Sequence, residues 1–229
     1  MTDLHEPTLG DLVTANPAAA RVLDGFSLDY CCHGDRTLAD ACAAAGIDPG
    51  VVAATLADLD VGGEETWTSL DPPALAAHIV ESHHRYLWDE LPLLDALAAK
   101  VLSVHGERHV ELAEVRALVA AVRAELEPHL LKEERVLFPA IAALAAGERE
   151  FAFGSVDNPI RMMGIEHDRA GELLAALRAA TDAYTVPADA CASYRSLYER
   201  LAALELDTHL HIHKENHVLF PAALRLGAS

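Results

Sequence analysis

Between His129 and Ala140 the chain reads HLLKEERVLFPA, and between His211 and Ala222 it reads HIHKENHVLFPA. Eight of the twelve positions are identical: the first His, a Lys, a Glu, and the run Val-Leu-Phe-Pro-Ala. The two phrases stand 82 residues apart. The repetition extends upstream, where SHHRYLWDELPLL around His84 resembles IEHDRAGELLAAL around His167. His84 precedes His129 by 45 residues, and His167 precedes His211 by 44. The repeating unit is therefore a helical hairpin used twice, each copy carrying one lone His and one His-x-x-x-Glu. Two such copies about a pseudo-twofold axis would bring both sets to one central place.

The residues between these phrases favour helix. About half the chain is apolar (52%), much of it Ala and Leu, and aromatic residues make up only 5%. That balance suits helices better than strands. The pattern predicts long helices at about 72–103, 107–146, 159–182 and 188–224, with Asp71-Pro72 and Asp157-Asn158-Pro159 as start signals. Residues 8–60 read instead as short helices punctuated by Asn16-Pro17, Gly25, Gly46 and Asp48-Pro49. The stretch DVGGEET, residues 60–66, reads as a linker. The expected fold is all-α: a small helical domain over 1–63 and an antiparallel four-helix bundle over 64–229.

Within that bundle the repeated residues point to metal. His129 and Glu133 are four apart and share a helix face with Leu126, Leu130, Leu137 and Ile141. His211 and Glu215 share one with Leu204, Ile212, Val218, Leu219 and Ala222. An ionised carboxylate on a core-facing stripe is costly without a partner, and two at matched positions also repel each other. Two cations between them remove both problems. His84, His129, His167 and His211 with Glu133 and Glu215 make a dinuclear site of mixed nitrogen and oxygen donors, which suits iron and, less well, manganese. The competing reading is a hydrogen-bonded core network of the same residues.

Other histidines compete for the role. His209, His213 and His217 form their own i, i+4, i+8 stripe, but Glu127, Leu131 and Arg135 stand opposite them in the first copy, so they read as flanking residues. His83 competes with His84, and the repeat favours His84. His5, His78, His105 and His109 read as solvated. Of the four cysteines, Cys42 and Cys191 read as small packing residues, while Cys31 and Cys32 are adjacent, a spacing that strains a mutual disulfide.

The net charge of −19 repels a phosphate backbone, and no basic stripe offsets it, so nucleic acid is not an expected partner. No segment has the run of about 20 apolar residues that spans a membrane. The N-terminal MTDLHEPTLG lacks the pattern of a signal peptide, and the cysteines are too few for a secreted disulfide framework. A cytoplasmic protein is expected.

The phrases HHRYLWDELP, HLLKEERVLFPA, EHDRAGELL and HIHKENHVLFPA resemble the hemerythrin-like di-iron domain. LGDLVTANPAAARVLDGFSLDYCCHGDRTLADAC resembles the short N-terminal domain with an Asp-Tyr-Cys-Cys motif. Together they resemble the iron–sulfur cluster repair di-iron proteins over nearly the whole chain. The resemblance implies two non-haem iron ions in an Fe–O–Fe type centre, held by His84, His129, Glu133, His167, His211 and Glu215. It implies repair of clusters damaged by nitric oxide or oxidants, through iron donation, nitric oxide reductase activity, or both. Damaged iron–sulfur proteins, nitric oxide or oxygen, and a second copy in a homodimer are the partners it brings in. Cys31 and Cys32 become candidates for a redox or iron-relay role, with packing of the small domain as the plain alternative. Glu125 and Glu166 become candidates for an iron route, or else are solvated, and no residue is singled out as catalytic. The family pattern continues after the cysteine pair with Gly-Gly, whereas this chain has His33-Gly34. A non-catalytic oxygen or nitric oxide sensor or carrier of hemerythrin type is the alternative function.

Overall fold

The computed structural model describes residues 6–59 and 66–228. Most of the expected linker, and His5, lie outside those residues. Every regular element among the described residues is helical, and the sole β-type pairing is an isolated bridge between Thr8 and Thr37.

Four short helices come first, each with a legible cause. Helix α1 (Leu9–Ala15) starts at Thr8, whose hydroxyl accepts from Asp11 N–H while the Asp11 carboxylate accepts from Thr8 N–H. Asn16-Pro17 ends it, and α2 (Ala19–Gly25) follows. Helix α3 (Leu38–Ala45) is capped by Thr37 and closed by Gly46 in the left-handed conformation, φ 70°. Helix α4 (Pro49–Ala57) has Asp48 as cap and Pro49 in its first turn.

The long helices then run in pieces. The first is α5 (Pro72–Ile79), a π turn (Val80–His84) and α6 (Arg85–His105). The second is α7 (Leu112–Lys132), a π turn (Glu133–Leu137) and α8 (Phe138–Ala145). The third is α9 (Asp157–Ala180). The fourth is α10 (Ala192–Lys214), a π turn (Glu215–Leu219) and α11 (Phe220–Gly227). Helix α6 packs on α7, α7 on α9, α9 on α10 and α10 on α6, which closes the bundle. The second and fourth helices begin later than the sequence suggests, at Leu112 and Ala192. Residues 106–111 and 181–191 instead form the turns that reverse the chain.

The π turns have a chemical origin in two of three cases. Pro139 and Pro221 lack an N–H, and a proline ring crowds the carbonyl four residues back. Widening the turn relieves this: Phe138 N–H donates to Glu133 O, and Phe220 N–H to Glu215 O, each five residues back. The repeated Glu-x-x-Val-Leu-Phe-Pro is thus a ligand-type residue followed by the device that widens the helix beside it.

Two apolar clusters form the core. The larger includes Leu87, Leu91, Val122, Leu130, Leu174 and Ile212 of the bundle and continues through Leu9, Leu23 and Tyr30 of the small helices. The smaller gathers Trp67, Ile79, Leu137, Met163, Leu219 and Phe220. Between the two lies a layer of buried polar residues.

Candidate metal centre

The polar layer contains all six residues of the duplicated pattern. His84, His129, Glu133, His167, His211 and Glu215 are buried, each 2% exposed or less. Their donor atoms fall into two groups of four, each with all ligand atoms within 4.8 Å of one another. His84, Glu133, His211 and Glu215 form one group, and His129, Glu133, His167 and Glu215 the other. Both carboxylates belong to both groups.

The distances within the groups have a common feature. Glu133 Oε1 lies 3.3 Å from His129 Nε2, and Glu133 Oε2 lies 3.3 Å from His84 Nε2. Glu215 Oε2 lies 3.1 Å from His167 Nε2, and Glu215 Oε1 lies 3.1 Å from His211 Nε2. The first three contacts are close enough for ion pairing but are not aligned as hydrogen bonds. Accordingly His129 Nε2, His167 Nε2, both Glu133 oxygens and Glu215 Oε2 have no hydrogen-bond partner among the described residues although fully buried. Orphaned buried polar atoms are rare and call for an explanation. Here they converge on shared points. Two donors about 2.1 Å from one ion at right angles lie about 3 Å apart, which is the spacing observed. The donor set therefore fits two metal ions.

Protein charges alone also show the strain of the layer. Burial pushes the Glu133 carboxyl up, but His129, His84 and His211 more than reverse this and hold it well below the usual range. Burial likewise opposes charge on His129, yet Glu133 and Glu166 carry its pKa up to about 10. Without metal, a protonated His129 would offset carboxylate charge that cations otherwise neutralise. Nε2 of His84 and Nε2 of His211 face each other at 3.2 Å, a contact that needs a proton or a cation between two lone pairs.

The outer nitrogens are held in place by a second ring of residues. His84 Nδ1 donates to Glu134 Oε1 at 3.0 Å, which also accepts from Trp88 Nε1–H at 2.9 Å. His167 Nδ1 donates to Asn216 Oδ1 at 2.9 Å. His129 Nδ1 donates to Glu166 Oε2 at 3.0 Å, and Lys132 Nζ donates to the other Glu166 oxygen. These bonds fix each tautomer so that Nε2 presents its lone pair inward. Glu134 and Asn216 occupy the same place in the two copies of the phrase, directly after the inward glutamate. Glu166 and His83 also correspond, each directly before a lone His. His83 does not hydrogen-bond His211 but stacks on it, rings 5.6 Å apart and 11° from parallel. His211 Nδ1 has no hydrogen-bond partner among the described residues.

Glu134, Asn216 and His83 were not assigned roles from sequence. The signal was present: they sit at fixed offsets from the duplicated residues, but their side chains differ between copies. Glu166, expected as either an iron-route or a solvated residue, is buried and bonded to His129 and Lys132. Glu125 lies half-buried, 4.0 Å from Arg169.

The other histidines lie outside the two donor groups. His209, His213 and His217 form the seat of the small helical domain. His209 Nδ1 meets Asp24 Oδ1 at 2.8 Å, His213 Nε2 meets Thr14 Oγ1 at 3.1 Å, and His217 Nε2 donates to Cys31 O at 3.1 Å. His105 is buried rather than solvated, because it closes the end of α6 against α10. His78 is half-buried, with its Nε2 3.1 Å from Lys214 Nζ, and His109 holds Glu111 and Asp189 at 3.0 and 3.1 Å. Cys42 is buried as expected, while Cys191, expected to pack, is exposed at the N-cap of α10.

Cys31 and Cys32 are free thiols with sulfurs 3.7 Å apart. Asp29 Oδ1 accepts from both backbone N–H groups, at 3.1 and 2.9 Å, and from the Cys31 thiol. The Cys32 thiol, burial and Asp29 together push the Cys31 thiol well up, so it stays protonated near neutral pH. Asn216 Nδ2 donates to Cys31 O at 3.0 Å. One side chain thus links the cysteine loop to His167. Gly34 is required here: a Cβ would fall 2.1 Å from Tyr30 O and 2.6 Å from His217 Nε2. His33 points outward instead, with its Nδ1 2.6 Å from Asp29, which is why a large residue is accommodated at the first position and not the second.

Comparison with known proteins agrees with this architecture. Residues 75–223 match the Hemerythrin HHE cation binding domain, and residues 5–60 match a domain of unknown function, DUF542. The iron-sulfur cluster repair protein YtfE of Musicola paradisiaca is 37% identical over 96% of this chain and 97% of its own. The protein of that name from Escherichia coli O1:K1 is 36% identical over 96% and 97%, and a probable iron-sulfur cluster repair protein of Haemophilus influenzae is 34% identical over 94% and 96%. Fold, cation-binding domain and near-full-length similarity together show that the chain belongs to the hemerythrin-like iron–sulfur cluster repair protein family.

Proposed function

We propose that this protein repairs iron–sulfur clusters damaged by nitric oxide or oxidants, using two iron ions held in the polar layer. His84 and His211 would hold one ion, His129 and His167 the other, and Glu133 and Glu215 would bridge both. The observation that carries this reading is the pair of four-donor groups sharing the same two carboxylates. When bound, iron supplies exchangeable coordination positions and redox electrons for nitric oxide, or is itself the cargo handed to a damaged cluster.

The chain's own residues prepare the site in three ways. Glu134, Asn216 and Glu166 fix the imidazole tautomers. The two apolar clusters on either side exclude water, which strengthens the electrostatic hold of the carboxylates. Asn216 couples the cysteine loop to the His167 side of the layer. The names of the relatives favour repair over an oxygen or nitric oxide carrier. Damaged iron–sulfur proteins are the partners of this reading, nitric oxide or oxygen the small ligand, the cytoplasm its compartment and a homodimer its assembly. Among the described residues no helix is long and apolar enough to cross a membrane.

Metal analysis with magnetic spectroscopy of the reduced protein tests the centre. About two irons per chain are expected; one zinc and no iron after growth in iron-replete medium would overturn the reading. Iron content measured before and after repair of a nitric-oxide-treated iron–sulfur enzyme separates the two activities. Donation depletes the protein of iron, whereas nitric oxide reduction leaves it loaded.

A further inference from the structure

At the far end of the bundle a second reactive arrangement stands apart from the metal layer. Helix α6 has 21 residues, so its C-terminal His105 lies roughly 30 Å along the axis from the π turn that carries His84. His105 is 5% exposed, and its Nε2 lies 3.1 Å from Cys191 Sγ. Its Nδ1 is buried with no hydrogen-bond partner among the described residues, so the thiol is the only side chain that engages the ring's nitrogens. Tyr194 holds the ring in place, 5.3 Å away. Cys191 itself is exposed and occupies the N-cap of the 23-residue helix α10, where its own side chain makes no capping hydrogen bond. The positive end of a helix favours an anion, and an adjacent imidazole can accept the thiol proton. The carboxylates of this turn, Asp189 and Glu111, are already engaged. Asp189 bonds His109 and lies 4.0 Å from Arg108, while Glu111 bonds His109 and accepts from Tyr194 Oη–H. On the remaining side, Lys100 Nζ reaches Ser193 Oγ at 3.3 Å.

We propose that Cys191 and His105 form a reactive thiol–imidazole pair that undergoes exchange with low-molecular-weight disulfides. The Cys191 sulfur attacks one sulfur of the disulfide RS–SR. The S–S bond of the reagent breaks, a Cys191–S–SR bond forms, and the departing RS⁻ takes the proton that His105 received from the thiol, leaving as RSH. The disulfide is the oxidant, so no other redox partner is needed. The remaining cysteines are less suited. Cys31 and Cys42 are buried with their thiols pushed up, Cys42 by its desolvation, and Cys32 is half-buried.

The test uses the full chain and hydroxyethyl disulfide, a small neutral reagent, at neutral pH, with quenching and peptide mapping. Cys191 is expected to be modified first. His105→Gln is expected to slow modification at Cys191 by about tenfold, because only a few per cent of an unassisted thiol is ionised at neutral pH. Above about pH 9.5, where an unassisted thiol is ionised, the wild-type and His105→Gln rates converge. A merely structural role for His105 would keep them apart at every pH. Modification of Cys32 before Cys191, equal neutral-pH rates for wild type and His105→Gln, or a gap that persists at alkaline pH each overturns the proposal. Circular dichroism checks the variant's fold. If it does not fold, the comparison is wild-type Cys191 against free 2-mercaptoethanol at the same pH. A Cys191 rate constant above that of the small thiol supports the pair, and one at or below it refutes it.

Discussion

Glu133 and Glu215 are the residues whose burial is hardest to justify without a cation. Both are 0% exposed, and three of their four oxygens lack hydrogen bonds. Replacing a buried charge with a well-packed apolar residue is often stabilising by about 1–4 kcal/mol. Glu133→Leu and Glu215→Leu are therefore expected to lose the dinuclear metal, keep their helical circular dichroism, and melt no lower than the metal-free wild type. Either variant retaining full iron would remove that glutamate from the ligand set. One bond further out, Asn216→Ala removes the acceptor that orients His167, and losing such a partner typically costs 10–100-fold in metal affinity. Competition with a chelator of known affinity measures this. At this scale the sequence was informative where spacing was repeated. His-x-x-x-Glu declares its own face, and two copies 82 residues apart expose the set. It was uninformative for His105 and Cys191, which meet across 86 residues with no counterpart in the repeat. The His209–His213–His217 stripe was visible as a pattern, but its partners Asp24, Thr14 and Cys31 lie more than 180 positions away, so nothing local could show that it binds the small domain.

At the scale of helices and turns, close approach decides which residues are allowed. The loop after the cysteine pair passes so near the π turn that follows α10 that Gly34→Ala must move both the Tyr30 carbonyl of its own loop and the His217 ring. Overpacking of this kind costs typically 1–3 kcal/mol. The expected result is faster hydrogen exchange in α1, α2 and the His209–His217 stretch, with metal content maintained. Unchanged exchange there would mean that the docked small domain is more compliant than this packing implies. The opposite end of the bundle offers a pH test remote from metal. His109 is raised above its ordinary 6.5 by its bond to Glu111, against burial, and then by Asp189. Asp189 is lowered by His109, and Glu111, despite burial, by its own backbone and His109. The raised histidine contributes fully below its unfolded value and loses its contribution as pH rises through its folded value. The lowered carboxylates contribute above their unfolded values and lose their contribution as pH falls through their folded ones. The turn joining α6 to α7 is thus held best between about pH 4.5 and 6.5. A proton NMR titration is expected to place His109 above 6.5, and Asp189→Asn to lower it; a value at or below 6.5 in the wild type would show that these bonds do not form in solution. The delayed start of α7 belongs with this network. The sequence pattern predicts helix from about residue 107, but Glu111 and His109 engage each other across the turn, and the regular helix begins only at Leu112.

On the scale of the whole molecule, the layer of buried histidines and glutamates divides one apolar interior into two. The larger cluster is shared between the bundle and the small helical domain, so it has support on several sides. The smaller cluster is built from Trp67, α5, α8, α11 and the start of α9, and the buried histidines and glutamates lie between it and the larger one. Metal ligated from all four long helices would clamp the two halves together. A ligand that binds only the folded state adds about 2.7 kcal/mol when present at 100 times its dissociation constant. Removing it leaves mutually repelling carboxylates balanced by protonated imidazoles across the seam. Chelation is therefore expected to act unevenly. Hydrogen exchange should quicken in residues 72–80, 138–145 and 220–227, which cover the smaller cluster, while α6 and α7 near residues 95–120 keep their protection. The melting temperature should fall, with the smaller cluster loosening first. Uniform acceleration along the bundle would show instead that the two clusters unfold as one unit and that the polar layer is no weaker than the apolar core on either side. The cysteine loop is set at this same layer through Asn216, so the experiment bears on delivery as well. Cys31→Ser with Cys32→Ser, loaded to equal iron, should keep the wild-type exchange pattern of the bundle yet restore a damaged iron–sulfur enzyme more slowly. Equal restoration by an equally loaded, equally protected variant would assign the thiols to packing of the small domain and leave the four-helix layer to act alone.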